Sequence, residues 1–269
     1  MNKAEPMVSV IMGVRNGGAE LSPAVNSILA QTVHKFEFVI CDDGSTDDTR
    51  TRLGRYALQD SRVCVLHNAE NRGLAAALNQ CFRLAKGQYI ARMDADDLSA
   101  PQRLERQIAY LEQHPEVAFV GCVAHLKRNG APVGIRSFPE RPTVRDFYMT
   151  QPFLHPTLVF RREALEAVGG YCEDRHCVLC EDYDLLLRLY AKGFYGANLQ
   201  EALFTYTLPP TAKGNRKMHH RWNEVVTRWR RFRELKVLPG ALPWVVKPLV
   251  VGLSPTWLLE RIKEKRMEV

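Results

Sequence analysis

The sequence predicts an α/β protein, with a mostly parallel sheet flanked by helices and a helical extension at the C-terminal end. Three observations lead there. Short apolar runs rich in β-branched residues alternate with segments of helical period through the first half of the chain. Those runs are nearly continuous rather than alternating, the pattern of strands covered on both faces. The strand–helix–strand spacing then requires crossover connections, which place successive strands parallel. With 269 residues, 46% of them apolar and 25% charged, the chain is long enough for a full core and too apolar for disorder.

The elements follow in order. Val8–Val14 (VSVIMGV) is a strand, and Ser22-Pro23 opens a helix to Gln31, with the serine as N-cap and proline at the first helical position. Phe36–Cys41 (FEFVIC) is a second strand. Asp42-Asp43-Gly44-Ser45-Thr46 leads into another helix, whose start Asp47 and Asp48 cap. Val63–Leu66 is a third strand, and Gly73–Lys86 a helix that Gly87 closes. Tyr89–Arg92 is a fourth strand, ending at Asp94-Ala95-Asp96-Asp97. Ser99 to Gln102 reads as a capping box that launches a helix to about His114. After a strand at Val117–Cys122 the period fades among Pro132, Pro139, Pro142, Pro152 and Pro156, which reads as connecting structure and short strands. Helices return at Glu181–Ala191 and Arg216–Lys236. Tyr89 and the leucines of Leu185–Leu189 are core residues by spacing.

Composition removes several classes. No apolar run reaches the roughly 18–20 uncharged residues of a spanning helix. Met1-Asn-Lys-Ala-Glu-Pro has no apolar stretch behind its charge, so no secretory signal is expected and the protein reads as cytoplasmic. Cys41, Cys64 and Cys122 sit in apolar runs, and with seven cysteines in all the expectation is reduced, buried thiols rather than a disulfide framework. The formal charge is +7, and Lys213–Lys236 carries all of it, nine Lys/Arg against two acids. An excess so localised points to a local anionic partner or to a solvated basic face.

The loops at the carboxyl ends of parallel strands are where ligands of such sheets bind. No G-x-G-x-x-G follows the first strand, which ends Gly13-Val14-Arg15-Asn16, and no P-loop is present. Carboxylates gather there instead: Asp42 and Asp43, then Asp94, Asp96 and Asp97. Asp94 and Asp96, two apart in an extended segment, point the same way. Like charges held together require donors or a cation, and a hard divalent ion shared with substrate phosphates meets that need. A second acidic group, Glu181-Asp182-Tyr183-Asp184, opens a helix. Some of it complements the dipole, but three acids in four residues exceed capping, and one facing the metal site could serve as general base to a hydroxyl.

Taken together, VSVIMGVRNG, ICDDGSTDDT, NRGLAAALN, YIARMDADD, HPTLVFRREAL with VGGY, and CEDYDLLLRL resemble a family 2 glycosyltransferase of GT-A (Rossmann-like) fold, of the type that builds bacterial cell-surface polysaccharide. The resemblance spans about Met7 to Tyr206 in family order. It implies a catalytic domain over 1–212, with a nucleotide-sugar half to about 122 and an acceptor half over 123–212, followed by a basic, apolar extension over 213–269. It implies inverting, metal-dependent transfer of a hexosyl or N-acetylhexosaminyl group, from a UDP-type donor to a hydroxyl of a glycan or lipid-linked acceptor, with Mn²⁺ or Mg²⁺ as cofactor. Asp43 then contacts the base, Asp94 lies near the ribose, Asp96 binds the metal, and Asp97 shares the ribose or metal role. Arg72 contacts the nucleotide, Asp182 is the catalytic base, and Glu181 and His155 line the acceptor side. Two departures stand out. Gly13-Val14-Arg15-Asn16 replaces Pro-Val-Tyr-Asn, so Arg15 takes the place of an aromatic contact. Leu208-Pro209-Pro210 stands where relatives carry a histidine, so a third metal ligand is either missing or supplied by His219 or His220.

Other readings compete. Cys172, Cys177 and Cys180 have the spacing of three iron–sulfur ligands, but no fourth cysteine follows. A nucleotidyltransferase would need a Gly-rich basic loop that is absent. A non-catalytic nucleotide- or glycan-binding relative predicts loss of Asp96 or Asp182, and both are present. The basic helix matches no nucleic-acid module. The extension, with Trp244 and Trp257 among aliphatics and four prolines, suits an anionic membrane surface on the inner face of the membrane. Equally, it suits packing on its own domain or on a second subunit of a homodimer.

Overall fold

The computed structural model describes residues 5–209 and 217–254. Four strands, β1 (Val8–Val14), β2 (Phe36–Asp43), β3 (Val63–Asn68) and β4 (Tyr89–Arg92), lie parallel in the order β3-β2-β1-β4. Helices α1 (Leu21–Leu29), α2 (Thr49–Gln59) and α3 (Leu74–Leu84) make the crossovers. The register sets Val14 beside Asp42 and Asp43 beside Asn68, so the carboxyl ends of β1, β2 and β3 lie level. Along β1 the period of two is visible in the packing. Val8, Val10, Met12 and Val14 enter one core layer, and Ile11 enters the other with Val39, Cys41 and Ile90.

The second half completes one curled sheet, nine-stranded among the described residues. β8 (Val159–Arg161) is antiparallel to β4 and to β6 (Val117–Arg128), and β9 (Tyr195–Thr207) runs parallel to β6. β5 (Leu98–Ser99) adds to β9, and the wholly exposed β7 (Ala131–Arg136) folds back on β6. Helices α4 (Arg103–Gln113), α5 (Arg162–Ala167) and α6 (Glu181–Ala191) cover it. The long strand β9 carries no clear sequence period because its 13 residues change burial along their length.

Several local expectations are corrected. α1 starts at Leu21, with no side-chain cap, because the fully buried Leu21 is part of the core; Pro23 still falls in the first turn, where an N–H has no intrahelical acceptor. Ser99 caps nothing: it lies in β5, where its Oγ accepts from Gln31 Nε2 at 3.0 Å, and α4 begins at Arg103. Before α2 the Asp47 carboxylate accepts from Thr49 N at 3.0 Å, whereas Asp48 pairs with Arg52 instead of capping. Gly87 follows α3 because β1 passes close by: a Cβ there would stand 2.5 Å from Ser9 N and 2.6 Å from Val8 C. Cys64 is exposed, since β3 is an edge strand, and Cys172 and Cys177 form a disulfide, their Cα atoms 6.1 Å apart. That bond overturns the reading of all cysteines as reduced thiols. Cys180, the third of that group, is a buried free thiol beside Thr227 Oγ1.

The extension folds as a helix pair, α7 (Met218–Glu234) and α8 (Leu238–Leu253), that returns onto the domain. Val225, Phe232, Ala241 and Val245 are buried in the same core cluster as the leucines of α6. The start expected at Arg216, Pro210 of the 208–210 turn, the 212/213 boundary, Lys213, Pro255 and Trp257 lie outside the described residues. Among the described residues no helix is long and apolar enough to cross a membrane.

Candidate functional site

The level strand ends are laced to one another. Asn16, in a left-handed conformation (φ 52°), donates its N–H to Ser45 Oγ (2.9 Å), and its Oδ1 accepts from Thr46 N (2.8 Å). Gly17 N donates to Thr49 Oγ1. Gly13 lets α3 approach: a Cβ there would stand 3.0 Å from Leu74 Cδ1 and 3.1 Å from Ala77 Cβ. Buried Asp43 accepts from Arg72 N (2.9 Å), Gly73 N (2.8 Å) and Asn68 Nδ2 (2.8 Å), and so pins the Asn-Arg-Gly turn. Asp42 holds the other side through Ser45 N and His67 Nδ1. Arg15 and Arg72 stand exposed on this platform.

After β4 the chain turns instead of extending, and the turn brings together Asp94, Asp96 and Asp97. Their carboxylate oxygens lie within 4.8 Å of one another. Their surroundings differ. Asp94 pairs with Arg92, which is buried at the end of β4. Asp97 is fully buried and accepts from Thr207 N at 2.7 Å, while its Oδ2 has no hydrogen-bond partner among the described residues. Burial first, and the Asp94 charge second, push the Asp97 carboxyl up to about 8. The same two causes raise that of Asp96, the exposed member. Beneath the turn, buried Arg103 donates to the carbonyl of Arg92 at 2.9 Å.

Asp94 and Arg92 line a cleft of about 660 Å³, and Glu181 and Asp182, from the start of α6, line the same cleft. Asp182 Oδ1 accepts from Tyr183 N at 2.7 Å. Asp184, the third acid of that group, points away and is buried between Arg188 and Arg231, accepting from each Nε at 2.7 Å. His155 is buried in the cleft floor and shares a 2.9 Å hydrogen bond between Nε2 and the Tyr171 hydroxyl. Asp94, His155, Glu181 and Asp182 therefore share one cleft. Gly13, Arg15, Asp43 and Arg72 belong to the adjoining strand-end platform. His219 and His220, proposed from sequence as a substitute metal ligand, stack on each other at the start of α7 and are not among the cleft residues.

Sequence reasoning missed the basic side of the cleft. Arg92 and Arg228 are buried arginines that line it. Arg228 bonds Glu224 and the Tyr148 carbonyl and lies over the Tyr183 ring at 4.7 Å. Arg221 and Lys247 come from α7 and α8. A lone arginine gives no periodic signal, and the wall exists only because the extension packs back. A larger hollow, about 1100 Å³ between Arg141–Arg145 and the α7–α8 turn, holds none of the aspartates above.

Comparison with known proteins identifies the family and the fold. The model of Glycosyl transferase family 2 matches residues 9–169. Over 263 residues the chain is 36% identical to EpsE of Bacillus subtilis (strain 168), named as a glycosyltransferase, covering 97% of this chain and 95% of that one. S. aureus TarS 1–349 in complex with UDP-GlcNAc superposes with a TM-score of 0.69 at 20% identity, over 89% of this chain and 72% of that one. The longer TarS chain is spanned over 43% of its length. The mannosyltransferase PcManGT from Pyrobaculum calidifontis, in complex with GDP-Man and Mn²⁺, gives 0.62 at 21% identity, over 97% of this chain and 80% of that one. At these identities the superpositions show a shared fold.

Proposed function

The chain belongs to glycosyl transferase family 2, whose reaction is glycosyl transfer from a nucleotide sugar, and from that premise we propose an inverting, metal-assisted transfer from a UDP sugar to a glycan or lipid-linked hydroxyl. One observation carries the reading: the oxygen cluster of Asp94, Asp96 and Asp97 reaches, through Asp94, a cleft that Glu181 and Asp182 also line. In this reading residues 1–122 hold the donor, 123–212 the acceptor, and 213–269 are the extension. TarS and PcManGT, solved with UDP-GlcNAc and with GDP-Man and Mn²⁺, support a hexosyl or N-acetylhexosaminyl donor.

The aspartate cluster fits a hard divalent ion, Mn²⁺ or Mg²⁺. All its ligands are oxygen, and buried Asp97 Oδ2 lacks a partner among the described residues. Asp96 would be the main ligand, with Asp94 and Asp97 towards the ribose and the ion. When bound, the ion would neutralise charge on the donor diphosphate. Asp43 and Gly13 shape the base platform, with Arg15 and Arg72 as its exposed cations. Asp182 accepts the proton of the acceptor hydroxyl as that oxygen attacks the anomeric carbon from the side opposite the nucleotide. The bond from that carbon to the phosphate oxygen breaks, and the nucleoside diphosphate leaves with the electron pair. Glu181 and His155 orient the acceptor.

Nucleotide release from a panel of UDP and GDP sugars tests this, with a hydroxyl acceptor supplied. Asp182→Asn should lower turnover by about 10²–10⁴-fold with donor affinity unchanged. Asp96→Asn should abolish the metal dependence of UDP affinity in calorimetry. A product of retained anomeric configuration would reject the direct displacement. Donor binding by the wild type without any transfer would favour the non-catalytic alternative, and release of pyrophosphate a nucleotidyltransferase.

A further inference from the structure

Helix α8 has three distinct sides. Ala241, Val245 and Pro248 (i, i+4, i+7) are buried in the fold, and Lys247 and Val251 line the cleft. On the third side Leu242, Val246, Val250 and Leu253 (i, i+4, i+8, i+11) form an apolar stripe, each residue between 46% and 76% exposed. Helix α7 adds Met218, Trp222 and Trp229, also exposed and also on one side of their helix. The two helices pack closely at this end: a Cβ at Gly252, next to Leu253, would lie 2.4 Å from Arg221 Cδ and 3.1 Å from Met218 Sδ. Scattered exposed apolar residues are ordinary, but an aligned row on each of two paired helices is not.

Charge decides what covers it. Lys217, Arg230, Arg233 and Lys236 are exposed on and around α7; both acids of the helix are engaged within it, Glu224 by Arg228 and Glu234 by Arg231, and exposed Asp174 lies 3.8 Å from Arg230. We propose that the outer face of α7 and α8 docks on an anionic lipid surface, lying in the interface rather than crossing it. Tryptophan favours that interface, and the basic residues can bury their stems while their charges reach headgroups. A second copy of this chain fits less well, since a two-fold contact would bring the same four cations face to face. The surface stands on its own geometry. Its use rests on the glycosyl-transfer reading, because α8 carries the cleft on its inner side, and docking would hold the cleft at the lipid surface where a lipid-linked acceptor resides.

Cosedimentation of the full chain with phosphatidylcholine vesicles, with and without phosphatidylglycerol, is the test. The wild type should pellet with the anionic vesicles at low salt and be released by salt. Val246→Glu/Val250→Glu should abolish pelleting, and Arg230→Gln/Arg233→Gln should weaken it by roughly fivefold per cation removed, with UDP affinity unchanged in both. The proposal is overturned if the wild type stays in the supernatant at low salt. It is also overturned if the glutamate pair pellets like wild type, or if the wild type is a dimer that this pair dissociates.

Discussion

Asp43 and His155 show how a site residue can also be a structural one. Both oxygens of Asp43 already accept hydrogen bonds, so what it does in the fold is to hold the Asn-Arg-Gly turn in place, and the donor contact proposed for it would act through that turn. His155 is buried against Tyr171, and burial first, then the nearby Arg92 charge, hold its imidazole well below the ordinary histidine range. It is therefore neutral in the fold. The unfolded chain takes up a proton near pH 6.5 and the folded chain does not, so this group costs stability as pH falls through that value. Thermal midpoints measured from about pH 7.5 to 5 should fall more steeply for wild type than for His155→Gln. Parallel curves would show that the histidine titrates normally. The acids of this site were legible because Asp clusters at strand ends are conspicuous in sequence, while buried Arg92 was not, since nothing in a single arginine tells whether it will be covered.

Helix α6 spans the residues its sequence period predicts, yet its three leading acids serve different ends. Glu181 and Asp182 face the cleft, whereas Asp184 ties α6 to α7 through Arg231 and to its own next turn through Arg188. Removing one partner of a largely buried ionic group strands the others in low dielectric. Asp184→Ala should therefore lower unfolding free energy by about 3 kcal/mol, measured by urea denaturation, with Arg231→Met milder because Asp184 keeps its pairing with Arg188. A change below about 0.5 kcal/mol would make the tie a surface pair in effect. The caps at Ser22 and Ser99 were misread at this same scale. A capping sequence specifies what a side chain can do, and burial of Leu21 and pairing of β5 with β9 settled where the helices start.

For the molecule as a whole, the question is whether the extension is an attachment or part of the core. Phe232 is fully buried, packs on the Tyr148 ring at 5.3 Å between centroids, and shares a cluster with α6. Phe232→Ala should cost about 3–5 kcal/mol and, by loosening the wall that carries Arg221 and Arg228, reduce turnover as well. If instead it shifts a separate minor unfolding transition and leaves the main one in place, the extension is an independent unit.

By itself the sequence determined the α/β class, the four parallel strands and their crossovers, and the acids at the strand ends. Each of these follows from local pattern: period, turn residues, and the tendency of parallel strands to be buried on both faces. Only the tertiary structure decided which acids share a cleft, since Asp94 after β4 and Asp182 on α6 are brought together across a large sequence separation. It also decided the course of β9, the disulfide between Cys172 and Cys177, and the return of α7 and α8 onto the cleft lined by Asp94 and Asp182. None of these has a periodic signature, because each is fixed by contacts between segments distant in the chain. A local pattern records the environment a segment needs, not which segment supplies it.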